Sequence, residues 1–229
     1  RALARERLIT SDISHELRNP LMVIASSCEV LAERSPGTSP DGRLIARVAR
    51  ASREMQEIVD TLLALARAEQ TGEGAMRRIS LRDAVEEQLA RWQPLAGQRG
   101  LTLSMQDTDE VQHDAECSEP GGELRLPAAP LATVLSNLIR NALHYTEAGS
   151  VCVSIGRGAV SIVDSGPGIA EHDRDRLFQP FVRGDGSQGD GIGIGLSLVE
   201  RICASQGWRV TLEPNQPHGC IFRIAFDAV

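Results

Sequence analysis

Seven apolar residues, Leu44, Val48, Ala51, Met55, Ile58, Leu62 and Leu65, follow one another at alternating steps of four and three. That register is a helical seam, and it commits this stretch to a helix lying lengthwise against other helices. A second seam runs upstream through Leu17, Leu21, Ile24, Cys28 and Leu31 with the same steps. Residues from about Leu3 to Arg34 therefore read as one long helix, bent just after His15 because Pro20 removes a backbone hydrogen bond. Between the helices, Ser35-Pro36-Gly37-Thr38-Ser39-Pro40-Asp41-Gly42 reads as a loop. Two helices alone cannot bury both seams, so the hairpin is expected to pair with a second copy as a homodimeric four-helix bundle.

His15 sits two residues from both Ile13 and Leu17. At about 100° per residue it points away from the seam, toward water, beside the carboxylate of Glu16. An exposed histidine on an amphipathic helix is commonly a plain surface residue, but this position also suits a nucleophile.

The 229 residues fit one large domain or two small ones, and 41% hydrophobic content is enough for a packed core. No apolar run approaches the 18 or so residues of a membrane span, and no leader is recognisable. The chain starts at Arg1 and is expected to be a fragment whose sensing or membrane segment lay upstream. A net charge of −7 argues against a nucleic-acid partner, which needs a basic face. All 24 basic residues are arginine, so lysine has no catalytic role here. Five scattered cysteines lack metal-ligand spacing and read as structural thiols of a reducing compartment, with a redox switch as the alternative.

Thr71-Gly72-Glu73-Gly74 marks a linker, and beyond it strands alternate with helices. The expected order is a strand near Arg78–Ser80, a helix through about Gln98, a strand near Leu101–Met105, and an acidic loop from Asp107 to Glu119. A strand at Glu123–Leu126 and a helix at Ala129–Tyr145 follow, then a hairpin of Val151–Gly156 with Ala159–Asp164. A glycine-rich region leads to a helix at Gly193–Ser205 and two closing strands, Arg209–Glu213 and Gly219–Phe226. The division is therefore 1–70, a linker at 71–77, and 78–229.

Three motifs in the second part carry chemistry. Asn137-Leu138-Ile139-Arg140-Asn141-Ala142-Leu143-His144-Tyr145-Thr146 sets two asparagines at i and i+4 on one helix face. Amide oxygens suit a hard cation such as Mg²⁺, although alone such a pair is more often a plain surface pair. Asp164-Ser165-Gly166-Pro167-Gly168-Ile169 follows a β-branched strand; its glycines admit a flat ligand and the carboxylate can accept from an exocyclic amine. The same string is also good turn chemistry. Gly189-Asp190-Gly191-Ile192-Gly193-Ile194-Gly195-Leu196 opens a helix, where free N–H groups and the helix dipole favour phosphate. Its G-x-G-x-G spacing is not a dinucleotide fingerprint.

In this order and at these separations the three resemble the N, G1 and G2 boxes of the GHKL ATPases, with Leu177-Phe178-Gln179-Pro180-Phe181 resembling the F box. Upstream, Ser14-His15-Glu16-Leu17-Arg18-Asn19-Pro20-Leu21 resembles the H box of sensor histidine kinases. The resemblance covers nearly the whole chain. It implies an α-helical hairpin forming a dimeric four-helix bundle, followed by an α/β sandwich of the GHKL (Bergerat) ATP-binding fold. It further implies His15 as phosphoacceptor, Glu16 polarising it, and Asn19 positioning water for dephosphorylation of a partner. Asn141 would ligate Mg²⁺ with Asn137 in support, Asp164 would bond the adenine amine, and Tyr145 would lie near the base. Gly166, Gly168, Ile169, Phe178, Gly191, Gly193, Gly195 and Leu196 would complete the nucleotide site. Residues from about Phe178 to Gly191 would form a lid in which Arg183 reaches the γ-phosphate.

His144 departs from the family pattern, which commonly has lysine there. Either the imidazole touches nucleotide, so that affinity weakens from about pH 6 to 8 as it loses its proton near pKa 6.5, or it has no contact at all. The implied activity is ATP-dependent autophosphorylation of His15 and transfer to an aspartate of a response-regulator receiver domain, with phosphatase activity toward it. The full-length protein would sit at the cytoplasmic side of a bacterial inner membrane. A GHKL hydrolase is the competing ATPase reading; its glutamate base is replaced here by Asn137, which disfavours attack by water. A dimeric scaffold with a decayed kinase domain is the competing reading from another class.

Overall fold

A computed structural model describes residues 20–28, 30–32, 39–69, 76–111, 123–174, 176–179 and 194–226. His15, Glu16, Asn19, Arg183, Gly191 and Gly193 lie outside the described residues, as does the expected bend after His15.

Helix α1, over residues 20–28, lies against α2, Pro40–Glu69. The expected loop ends earlier than its composition suggested, because Ser39-Pro40-Asp41 is a helix start. The Ser39 hydroxyl accepts from the Gly42 N–H at 2.9 Å, Pro40 needs no N–H there, and Asp41 favours the positive helix end. Leu21 and Cys28 are buried on α1, and the buried Ser52 hydroxyl of α2 donates to the Leu21 carbonyl at 3.0 Å.

The covered stripe of α2 is Ile45, Ala49, Ser52, Gln56 and Val59, one residue out of step with the seam read from sequence. Of that seam, Leu44, Val48 and Met55 remain 58%, 48% and 47% exposed. Thus α2 carries two adjoining stripes, and a single chain covers only the less apolar one.

The second part is a two-layer α/β sandwich. Its main sheet has the order β2-β4-β5-β7-β6, with β2 (Thr102–Val111), β4 (Ser150–Arg157), β5 (Ala159–Asp164), β6 (Trp208–Pro214) and β7 (Cys220–Phe226). β2 runs parallel to β4, and the remaining pairs are antiparallel. The expected hairpin of β4 and β5 is present, registered from Val151 opposite Asp164 to Gly156 opposite Ala159. A small antiparallel ribbon pairs β1 (Met76–Ser80) with β3 (Glu123–Pro127).

One expectation needs correction here. The acidic stretch from Asp107 is not loop at its start, because β2 continues to Val111. Acidic residues are poor strand formers, yet β2 is an edge strand where charge is tolerated and its ladder with β4 prevails. Asp107 is paired by Arg82 across that edge. Smaller shifts occur at the ends: β1 starts at Met76, and β7 starts at Cys220, leaving Gly219 in the turn.

Helices α3 (Leu81–Gln98), α4 (Ala128–Tyr145) and α6 (Gly195–Gln206) form the second layer, with α4 between the other two, and a single helical turn, α5 (Glu171–Arg174), precedes α6. The last helix begins at Gly195, two residues beyond the expected start. Leu131, Val134, Leu135, Leu138, Ile139, Ala142 and Leu143 of α4 are buried against the sheet and the flanking helices. Truncating one such leucine to alanine costs about 2–5 kcal/mol, so α4 is a rigid mount for whatever its other face carries. Helix α2 packs against α4 and α6.

Candidate nucleotide site

With α4's apolar face fixed inward, 3.6 residues per turn place Asn137, Asn141 and His144 together on the opposite side. From Asn137 to Thr146 the helix rises about 13 Å, comparable to an extended nucleoside triphosphate. The two ends of that face differ in construction.

At the C-terminal end, the alternation of β5 decides what points inward. Val160, Ile162 and Asp164 share one strand face, so the row that buries two apolar residues also buries a carboxylate. Oδ1 of Asp164 accepts from the Gly166 N–H at 2.9 Å and the Cys220 N–H at 3.2 Å. No described donor reaches Oδ2. Burial pushes the Asp164 carboxyl above its ordinary value, and these two backbone donors pull it partly back.

Around Asp164 the backbone is held closely. Asn215 donates through Nδ2 to the Asp164 carbonyl at 2.9 Å, and the Ser150 N–H donates to the Ser165 hydroxyl at 2.9 Å. Gly219, at φ +115°, lies so near that a Cβ there would stand 1.9 Å from the Asp164 carbonyl oxygen. Gly166 is similarly confined: its Cβ would meet Asp164 Oδ1 at 3.0 Å, the Tyr145 carbonyl at 3.3 Å and Thr146 Oγ1 at 3.4 Å. Gly168, at φ +78°, lies against Gly219.

Thr146 is fully buried, and its Oγ1 has no hydrogen-bond partner among the described residues. An orphaned hydroxyl beside a half-satisfied carboxylate costs free energy unless a polar ligand or water completes it. A flat heterocycle carrying both an amine and ring nitrogens supplies the donor for Asp164 and the acceptor for Thr146, so the adenine of ATP fits this end. Tyr145 is 42% exposed beside it, edge-on to His144 with centroids 5.0 Å apart.

Toward the N-terminal end of the face, Asn137, Arg140 and Asn141 converge on Gly195, the first residue of α6. A Cβ at Gly195 would lie 3.4 Å from Arg140 Nη2, 3.4 Å from Asn137 Oδ1 and 3.6 Å from Asn141 Nδ2. Ile194 caps α6 without a side-chain hydrogen bond, and the first turn holds no acid. Free N–H donors and a positive helix end suit a phosphate chain. The asparagines are not equivalent, however. Asn137 donates from Nδ2 to the Thr133 carbonyl at 2.8 Å, and its Oδ1 accepts from Arg140 at 3.2 Å. A carbonyl already bound by a guanidinium is a poor metal ligand, so Asn141 fits Mg²⁺ better than Asn137.

The structure thus brings together Asn137, Asn141, His144, Tyr145, Asp164, Gly166, Gly168 and Gly195. Ile169, Phe178 and Leu196 are partly buried against the core at the margins. Sequence reasoning gave no role to Thr146, Arg140 or Asn215. Thr146 and Arg140 stand inside the quoted N-box string and were legible by position; Asn215 is 51 residues from its partner and gave no signal.

A two-layer sandwich with a buried carboxylate at one end of a helix face and a glycine-opened helix at the other defines a nucleotide-binding ATPase domain. Residues 127–229 match the family profile "Histidine kinase-, DNA gyrase B-, and HSP90-like ATPase", and residues 5–71 match "His Kinase A (phospho-acceptor) domain". The chain belongs to the sensor histidine kinases of two-component systems.

Among its relatives, sensor histidine kinase AruS of Pseudomonas aeruginosa is 31% identical over 96% of this chain and 22% of its own length. Sensor histidine kinase CpxA of Escherichia coli is 29% identical over 91% and 44%, respectively. The chain spans less than half the length of these curated relatives. The full-length ShkA crystal structure in complex with AMPPNP shares the fold, with a TM-score of 0.64 and 23% identity over 96% of this chain and 46% of that one. Histidine kinase AdeS of Acinetobacter baumannii does so at a TM-score of 0.58 and 23% identity, over 93% and 96%. Among the described residues, no helix is long and apolar enough to cross a membrane.

Proposed function

We propose that this chain binds ATP with Mg²⁺ along α4, phosphorylates His15, and passes the phosphoryl group to an aspartate on a response-regulator receiver domain. The observation that carries this reading is the pairing of the Asp164–Thr146 end with the Asn141–Gly195 end on one helix face. Asp164 and Thr146 would hold the base. Asn141 would bind Mg²⁺, which screens charge on the phosphates, while the start of α6 donates to the chain of oxygens.

An unprotonated ring nitrogen of His15 attacks the γ-phosphorus. A nitrogen–phosphorus bond forms as the bond to the β–γ bridging oxygen breaks, and that oxygen keeps the electron pair as ADP leaves. Glu16 would accept a hydrogen bond from the other ring N–H and stabilise the growing imidazolium charge. Arg183 would offset charge at the γ-phosphoryl group. In the second step a receiver carboxylate displaces the imidazole, so alignment supplies most of the catalysis. Phosphatase activity, with Asn19 positioning water, belongs to the same proposal.

The exposed stripe of Leu44, Val48 and Met55 supports a homodimer, since a single chain leaves it in water. We place the phosphotransfer domain at 1–70, a division supported by the family match over 5–71, and start the catalytic domain at β1, so that Met76 and Arg77 of the expected 71–77 linker belong to the sandwich, which thus extends beyond 78–229. The length of the relatives supports a full protein held at the cytoplasmic face of an inner membrane by segments outside this chain.

Incubation with γ-labelled ATP tests the function. Wild type should gain acid-labile, base-stable label, and His15→Gln and Asn141→Ala should gain none. Label retained in His15→Gln, or free phosphate released without protein label, contradicts the reading.

A further inference from the structure

We infer that Asn215 is a positioning residue for base recognition: its side-chain amide stands in for a missing β-ladder hydrogen bond and so releases the Cys220 N–H to orient the Asp164 carboxylate. The inference rests on the ATP-binding reading above and concerns what makes that site select an adenine amine.

Three observations carry it. First, the ladder between β5 and β7 is one bond short at the site. Bonded positions in an antiparallel pair recur at every second residue. The Phe226 N–H donates to the Gly158 carbonyl at 2.8 Å, so in this register Val160 with Ile224, Ile162 with Phe222 and then Asp164 with Cys220 are the bonding positions. Yet the ladder ends at Val163 opposite Ile221. The Cys220 N–H goes instead to Oδ1 of the Asp164 side chain, at 3.2 Å.

Second, the Asp164 carbonyl that Cys220 leaves is taken by Asn215 Nδ2 at 2.9 Å. Only the NH₂ end of a carboxamide can face a carbonyl oxygen. The backbone of Asn215 holds it there: its N–H donates to the Gly219 carbonyl at 3.0 Å, one step beyond the last β6–β7 pair, Pro214 opposite Cys220. Gly219 has no Cβ to block the approach; one would stand 1.9 Å from that same Asp164 oxygen.

Third, the exchange decides which carboxylate oxygen is open. The Gly166 and Cys220 N–H groups both fall on Oδ1, and no described donor reaches Oδ2. A carboxylate torsion is broad and soft, so one donor alone would let the group turn. With two, Oδ2 is left as a fixed acceptor for an N–H of the ligand. Without the Asn215 amide, the carbonyl of the buried Asp164 lacks its donor, and the Cys220 N–H returns to the ladder to satisfy it.

The test compares ADP with purine riboside 5′-diphosphate, which lacks only the exocyclic amine, in wild type, Asn215→Leu and Asn215→Gln. Thermal melting of the nucleotide-free proteins runs alongside. Wild type should prefer ADP by about tenfold to a hundredfold. Asn215→Leu, of similar size but without a donor, should bring that preference below about threefold, mostly by weakening ADP. Asn215→Gln keeps a carboxamide and should recover part of it. Asn215 is partly exposed beside a turn, so the variants should fold; Asn215→Ala serves the same comparison should Asn215→Leu not. An undiminished preference in Asn215→Leu, whether affinity for both ligands falls together or not at all, overturns the inference and leaves ATP binding intact. A lower melting temperature with that preference kept is the mark of a merely structural residue. Wild type that binds both ligands alike removes the Asp164–amine contact and this inference with it, and wild type that binds neither removes the ATP-binding reading as well.

Discussion

The two ends of α4 solve the problem of holding one ligand in opposite ways. At the Asp164 end the fold supplies everything in advance: a strand that turns a carboxylate inward, two backbone donors on one of its oxygens, and glycines packed to van der Waals contact. At the Asn141 end the contacts come from long or amide side chains and from the start of a helix whose preceding residues lie outside the described set. The lesson is that base recognition here is a property of the folded core, whereas phosphate recognition is a balance of charges. Filling the space at the glycines of the first should damage stability and affinity together, whereas changing its ligand-facing polar groups, or disturbing the second, should change affinity without loss of folding.

The largest effect is expected from Gly219→Val. A Cβ would stand 1.9 Å from the Asp164 carbonyl, at a φ that β-branched residues avoid, so the turn between β6 and β7 must move. A loss of about 3 kcal/mol or more in denaturant unfolding is expected, together with loss of nucleotide binding. Wild-type stability in this variant would show that the base end is not preformed.

Next in size, Asp164→Asn should weaken ATP by about tenfold to a hundredfold while preserving the fold, because an amide oxygen can still accept from Gly166 and Cys220. Its melting temperature should also exceed that of wild type by a margin that grows with pH. Burial raises the carboxyl's folded value above 3.8, so the native state favours the protonated form. The stability this linkage contributes is present below 3.8 and is lost as pH rises through the folded value. Melting curves at several pH values above and below that window check the sign; a margin that shrinks with rising pH contradicts it.

Thr146→Val sharpens the comparison at smaller scale. Removing an orphaned, fully buried hydroxyl should raise nucleotide-free stability by about 1 kcal/mol and weaken adenosine and ATP alike. Equal loss for both ligands is the signature of the base end, and selective loss of ATP would place Thr146 elsewhere. The smallest effect concerns the thiols. Burial pushes Cys203 and Cys220 up to about 12, so neither should react with iodoacetamide at about pH 8 in the folded protein. Rapid alkylation of Cys220 would mean that the packing around Asp164 opens.

Much of this was legible in the sequence because local periodicity and tertiary burial agree along α4, β4, β5 and β7. The i and i+4 asparagines and the carboxylate after a β-branched run each reported their own geometry. Three things were hidden. Strand β2 outlasted its apolar pattern because pairing to β4, not the intrinsic preference of Asp107, sets its end. The seam of α2 was read correctly as apolar, but sequence could not tell which of two adjoining stripes a single chain would cover. Asn215 supports Asp164 across a distance in sequence that no motif spans.

The most direct test of the central claim is a co-crystal structure of the chain with Mg²⁺ and a non-hydrolysable ATP analogue. The base should hydrogen-bond to Asp164 with Thr146 completing its edge, and the phosphates should lie over Asn141 and the first turn of α6. A nucleotide bound away from this face of α4, or reversed along it, would contradict the account.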